Sequence, residues 1–201
     1  MIELIYRLYI RKLEKEVRGK NVPAHIMVIT SFKEINEGFN GVRSFIRWCD
    51  SFDVREITFA INGNASFENL KKLAYRIPYR ACIVTENTTL EKSGEGRVKV
   101  FLNALSGRRE LVQIAKELAE EVLEGKVMPD AIDEREIEKR LRVKSEPDLI
   151  LRANFELDDF LIWQSIYSEH MFYDVDWKNL RYIDFLRILR EYQKRERRYG
   201  R

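Results

Sequence analysis

Several things are scarce in this chain of 201 residues, and each scarcity narrows the reading. There are two cysteines, Cys49 and Cys82, too few for a disulfide-built scaffold. With no secretory pattern at the first residues, the expectation is free thiols in a reducing compartment. No apolar run approaches the roughly 20 residues of a membrane-spanning helix, which points to a cytoplasmic chain, peripheral at a membrane at most. An excess of one charge is also missing: 36 Lys and Arg against 33 Asp and Glu leave a net +3, so the total makes no electrostatic case for nucleic acid. Gln occurs only at positions 113, 164 and 193, and there is no repeat, low-complexity segment or linker. What is present, 45% hydrophobic and 34% charged residues, describes a globular chain long enough to bury a good core, with one domain over residues 1–201 as the expectation. Interspersed Lys, Arg and Glu suit a thermophile.

Hydrophobic periodicity divides the chain into alternating strands and helices. Residues 1–16 read as an amphipathic helix with Ile2, Ile5, Leu8, Tyr9 and Leu13 on one side. Its polar face carries Glu as well as basic residues, so it is expected to pack on its own domain rather than lie on a membrane. Strands are expected at 26–30, 57–61, 81–85, 98–102 and 149–151, each a short β-rich apolar run. Helices are expected at 38–52, 67–76 (stopped before Pro78), 110–123 (stopped at Gly125) and 133–141, with a last one at 183–199 that puts Phe185, Ile188, Leu189 and Tyr192 on one face. Residues 88–96 read as a polar loop, and 160–167 as a buried helix or strand–helix junction. The alternation predicts an α/β fold, a mostly parallel sheet flanked by helices. Arg152 would stand at the carboxyl end of the last strand, where open α/β sheets place ligand groups.

The last third, residues 147–200, carries three blocks in a specific order and spacing. They are Asp148-Leu-Ile-Leu-Arg152, then Phe160-Leu-Ile-Trp-Gln-x-x-Tyr-x-Glu169, then Arg198-x-Gly200. Together they resemble the C-terminal half of the cis-prenyltransferases, the undecaprenyl and dehydrodolichyl diphosphate synthases. Pro23-Ala24-His25-Ile26, Trp48-Cys49-Asp50 and Gly107-Arg108-Arg109-Glu110 extend the resemblance over nearly the whole chain. It implies the fold of that family, and an activity that joins an allylic diphosphate to isopentenyl diphosphate with magnesium. It also implies association through the block at 160–173, with Phe160, Trp163, Ile166, Tyr167, Met171 and Phe172 as interface residues.

The resemblance breaks where the chemistry belongs. Ser31 replaces the Asp of the family's Asp-Gly-Asn loop, and no Gly or Asn follows it. After the second strand, Gly63-Asn64-Ala65-Ser66-Phe67 has neither the family's Glu nor its Arg. After Arg152 the loop is two residues shorter and carries Asp158 and Asp159, which read as a helix cap rather than a metal pair. No catalytic residue is thus expected in this chain. The pattern resembles the catalytically deficient subunits of two-component cis-prenyltransferases, the Nogo-B receptor type. That implies a companion subunit carrying the intact Asp-Gly-Asn loop and its magnesium. Arg198 and Gly200 of this chain would contact isopentenyl diphosphate in trans, and a homodimer is possible when the chain is alone. Arg152 could touch a diphosphate or pair with Glu156 or Asp158. Glu169 matches a metal-linked Glu of the family or makes an interface hydrogen bond. His25 and His170 read as packed or surface residues, and Trp48, Trp163 and Trp177 as core or interface anchors. Two other readings stay open: an active homodimeric transferase with a divergent diphosphate site, and a non-enzymatic scaffold.

Overall fold

Short β-branched runs that are apolar on both faces can only be buried in the middle of a sheet covered twice, and residues 25–31, 56–62 and 149–152 are of this kind. In the computed structural model, which describes residues 2–63, 65–153 and 159–195, they form the centre of a seven-stranded sheet of order β4-β3-β5-β2-β1-β6-β7. The strands are β1 (His25–Ser31), β2 (Glu56–Asn62), β3 (Tyr79–Val84), β4 (Thr89–Lys92), β5 (Glu95–Asn103), β6 (Leu149–Arg152) and β7 (Glu169–Phe172). Every pairing is parallel except β3 with β4. The helices are α1 (Ile2–Val17), α2 (Phe32–Glu37), α3 (Phe39–Ser51), α4 (Phe67–Arg76), α5 (Gly107–Leu123), α6 (Glu134–Arg140) and α7 (Tyr182–Lys194). The expected α/β class and mostly parallel sheet are therefore what the chain forms.

Both faces of the sheet are covered. On one face Phe45, Phe59, Trp177 and Phe185 meet in edge-to-face contacts, with ring centroids 5.5–5.7 Å apart. Ile26, Val28, Val42, Leu70, Leu102, Leu186 and Leu189 complete that core. On the other, Met27, Ala60, Cys82, Phe101 and Ile150 pack with Phe160 and Leu161. The Asp of the Pro-Asp before β6 sews the centre together, since Asp148 Oδ2 accepts from the backbone N–H groups of Ala24 and His25 at 2.7 and 3.1 Å. His25 is a packed core residue: Nε2 lies 2.8 Å from Thr58 Oγ1 and Nδ1 lies 3.1 Å from Ser145 Oγ. Burial holds its pKa below the usual value.

Four local expectations are corrected. Residues 32–37, expected as a short loop before a helix, are themselves the helix α2. Residues 88–96 are not a loop: 89–92 form β4, the second arm of a hairpin with β3, and 95–96 already belong to β5, with Gly96 at φ 72°. Residues 160–167 form turns rather than a helix, and the following residues 169–172 add the edge strand β7. Finally, α7 ends at Lys194 rather than at 199, and residues 196–201 lie outside those described. One close approach explains two glycines. A Cβ at Gly38 would stand 2.3 Å from Trp177 Cβ, and one at Gly41 would stand 1.9 Å from the Trp177 carbonyl oxygen. Only glycine lets α3 come this near to the loop that carries Trp177.

Candidate functional site

Ligands of open α/β sheets bind at the carboxyl ends of the central strands. Here those ends belong to β1, β2 and β6. The cleft between them is lined, among the described residues, by Ile29, Thr30, Ser31, Glu34, Asn62, Ala153, Asp174, Val175 and Trp177. Its volume is about 200 Å³, below the roughly 300–1,000 Å³ of small-molecule pockets. Neither Lys nor Arg is in that lining, and both charged groups are acids.

The reason lies in how residues 31–34 fold. Ser31 ends β1 and is the N-cap of α2 in a capping box: Glu34 N–H donates to Ser31 Oγ at 3.2 Å, while the Glu34 carboxylate reaches back. Its Oε2 accepts from the Ser31 N–H at 2.7 Å, the Ser31 hydroxyl at 2.8 Å and the Thr30 hydroxyl at 3.1 Å. Thr30 Oγ1 in turn accepts from the Trp177 indole at 3.1 Å. Burial pushes the Glu34 carboxyl up, and these three hydrogen bonds more than offset it, so its pKa lies below the ordinary Glu value. The donors at the end of β1 thus already hold an anion, the chain's own. A second anion about 4 Å away would be repelled by about 4 kcal/mol at an effective dielectric constant near 20, more than the roughly 1.5–3 kcal/mol that one hydrogen bond to a charged group returns.

Among the described residues no three His, Cys, Asp or Glu side chains come together as a metal site. Ser31 offers a hydroxyl where a carboxylate would be needed, and its proton goes to Glu34. Sequence reading weighed Ser31 and passed over Glu34, although Ser-x-x-Glu is a visible capping-box signature.

The other expected residues separate. Arg152 ends β6 and is 5% exposed; its positive charge helps to depress the pKa of His170 on β7, where partial burial is the larger cause. Its expected partners Glu156 and Asp158 lie outside the described residues, as do Arg198 and Gly200. Asp159 caps no helix of its own: its Oδ2 accepts from the Ser106 hydroxyl at 2.5 Å, at the start of α5. Glu169 faces Arg195 at 3.5 Å, and the same guanidinium donates to the His170 carbonyl at 2.5 Å. That clamp ties the end of α7 to the edge strand β7, a pairing no sequence pattern announced. Of the expected interface block, Phe160 and Met171 are buried in the chain's own core. Trp163 is half-buried against Ile114, Leu118 and Leu141. Ile166, Tyr167 and Phe172 remain exposed, at 68%, 55% and 48%.

Comparison with known proteins agrees with this architecture. A family model described as "Putative undecaprenyl diphosphate synthase" matches residues 69–200, more than half of the chain. That match begins downstream of both Ser31 and residues 63–67. A tritrans,polycis-undecaprenyl-diphosphate synthase (geranylgeranyl-diphosphate specific) of Methanopyrus kandleri is 31% identical over 98% of this chain and 92% of its own length. The alignment runs to 248 positions, so at least 47 of them have no counterpart among the 201 residues here. Isoprenyl transferase 1 of Corynebacterium efficiens is 30% identical over 98% of this chain and 97% of its own. Among solved structures, lavandulyl diphosphate synthase from Lavandula x intermedia, in complex with dimethylallyl diphosphate, superposes with a TM-score of 0.70 at 21% identity, covering 92% of this chain and all of that one. With a family model matched over most of its length and a 31% identical relative spanned almost end to end, this chain belongs to the undecaprenyl diphosphate synthase family, the cis-prenyltransferases.

Proposed function

We propose that the chain serves the synthesis of long-chain polyprenyl diphosphate from isopentenyl diphosphate as the accessory subunit of a two-chain cis-prenyltransferase. The observation that carries this reading is the Glu34 carboxylate, which takes the hydrogen-bond donors at the end of β1 in a cleft with no cation among its described lining residues. A companion subunit with an intact Asp-Gly-Asn loop would hold the allylic diphosphate and the magnesium of the family's chemistry. This chain, one domain over residues 1–201, would act in the cytoplasm and contribute Arg198 and Gly200 to isopentenyl diphosphate binding across the interface. The Arg195 clamp supports that role, because it fixes the last described residue against β7, the edge strand that carries the exposed Phe172 and follows Ile166 and Tyr167. Arg152 and Glu169 are left structural roles in this reading.

A second reading, an active homodimeric transferase with a divergent diphosphate site, has its own support. The relatives matched over 98% of the chain are named as synthases and transferases, and those names weigh toward it. Magnesium-dependent incorporation of labelled isopentenyl diphosphate separates the two. The chain is assayed alone and after co-purification from its native source. Turnover only with a co-purified companion is the expected result; turnover by the pure chain establishes the second reading and ends the first.

A further inference from the structure

The helix α1 is half anchored. Its C-terminal half is held by the core through Leu13 and Val17, and Gln193 of α7 donates to the Val17 carbonyl at 3.0 Å. Tyr9 turns toward Arg187 and Arg190 of α7. Three apolar side chains of the first two turns are not covered: Leu4 is 64% exposed, Ile5 60% and Leu8 55%. Helical spacing puts these three together, on the side turned away from Leu13 and Val17. One turn on, the same side continues as Arg11, Lys12 and Lys15, all exposed and without an ion pair among the described residues. The acids of the helix lie elsewhere or at the edge: Glu3 pairs with Arg7 at 2.7 Å, Glu14 with Arg18 at 2.9 Å, and Glu16 flanks the stripe.

We infer that this side of α1 docks the chain on an anionic lipid surface, Leu4, Ile5 and Leu8 entering the headgroup–acyl boundary while Arg11, Lys12 and Lys15 meet the headgroups. Exposed apolar residues alone would not choose a partner. The charge pattern does, because free Lys side chains are depleted from protein–protein interfaces, whereas apolar residues beside unpaired Lys and Arg on a helix are what an anionic bilayer surface binds. The helix lies on the surface rather than spanning it, since no helix among the described residues is long and apolar enough to cross a membrane. The inference stands whichever reading of the activity holds.

Flotation of the full chain with vesicles tests it, using phosphatidylcholine alone and phosphatidylcholine with one-third phosphatidylglycerol. The chain is expected to float with the anionic vesicles, to bind the neutral ones far less, and to be released by salt. The double substitution Leu4→Gln/Leu8→Gln lowers binding at least about tenfold. The pair Lys12→Glu/Lys15→Glu lowers anionic binding by more than about twentyfold, each cation near such a surface adding roughly fivefold, and leaves neutral binding unchanged. Thermal melts of both variants match the parent, because the altered side chains are exposed. Equal partition of the parent chain to anionic and neutral vesicles overturns the inference, as does undiminished flotation of either variant. So does a change in oligomeric state on gel filtration with no vesicle binding, which would give this face to a protein partner.

Discussion

At the scale of single residues, Glu34 decides more than its exposure suggests. One of its oxygens accepts three hydrogen bonds, two of them from Ser31, and through Thr30 it is linked to the buried indole of Trp177. The group is an ordinary capping-box carboxylate in geometry, and its position at the end of β1 is what gives it consequence. Because its pKa is lowered on folding, the stability it contributes is complete above the ordinary Glu value of 4.5 and is lost as pH falls through the lower folded value. Replacing the cap, Ser31→Ala, should cost about 0.5–2 kcal/mol at neutral pH. Glu34→Gln should narrow the difference in melting temperature between neutral pH and the acid range. Thermal melts of the parent and Glu34→Gln across that range check the sign: an unchanged pH slope in the variant would mean that the carboxylate is not held in the folded state.

At the scale of elements, the loop bearing Trp177 is pressed onto α3 at two glycines, and the contact is backbone to backbone at Gly41. Gly41→Ala places a methyl group 1.9 Å from a carbonyl oxygen that no rotamer change can move, so one of the two elements must shift. Overpacking of this kind costs about 1–3 kcal/mol, read as a loss of roughly 2–4 °C in melting temperature for each kcal/mol in a chain of this size. A variant as stable as the parent would show that the two elements yield freely. The elements themselves were legible to different degrees. The central strands and α4, α5 and α6 announce themselves, because β-branched runs and helical periods are local signals: α4 stops before Pro78 and Gly125, at φ 71°, stops α5, both as expected. β4 is an exposed edge, Thr-Leu-Glu-Lys, whose only reason to be a strand is the neighbour it pairs with. α2 is six residues long and signalled by its cap rather than by apolar spacing. Periodicity put Ile5 and Leu8 on one side of α1 with Leu13, but the fold buries Leu13 and leaves Leu4, Ile5 and Leu8 uncovered on the opposite side, since cover is a tertiary property. For the candidate site, the replacement of an Asp by Ser31 was readable, but the occupation of its neighbourhood by Glu34 depends on a turn of backbone that residue types alone do not specify.

At the scale of the whole molecule, β7 is the outermost strand at one edge of the sheet among the described residues, beside Ile166, Tyr167 and Phe172, and an edge strand with exposed apolar neighbours is a pairing surface. Ile166→Glu should abolish self-association or companion binding while the melting temperature holds, whereas Met171→Glu, in the core, should unfold the chain. Sedimentation velocity with thermal melts separates these two outcomes, and an Ile166→Glu variant that still associates removes the surface from consideration. With Arg195 held to Glu169 and the His170 carbonyl, the chain beyond it starts from the same edge, so a group three residues on is within reach of a subunit docked there: at most about 3.6 Å per residue gives roughly 11 Å of span. Arg198 carries a guanidinium that is always charged and can bind two phosphate oxygens at once, and Gly200 adds a backbone N–H with no side chain to obstruct an anion. In the assembled complex, Arg198→Ala should therefore reduce turnover at least about tenfold and raise the isopentenyl diphosphate concentration needed, from the roughly 1.5–3 kcal/mol of one charge-assisted contact. Assembly and thermal stability should change little, since the clamp described on β7 is made by Arg195, which the variant keeps. Steady-state kinetics of the variant complex, with its stoichiometry measured alongside, decide the matter: full activity, or activity lost only because the subunits part, removes Arg198 from the binding of isopentenyl diphosphate and leaves the companion to bind it unaided.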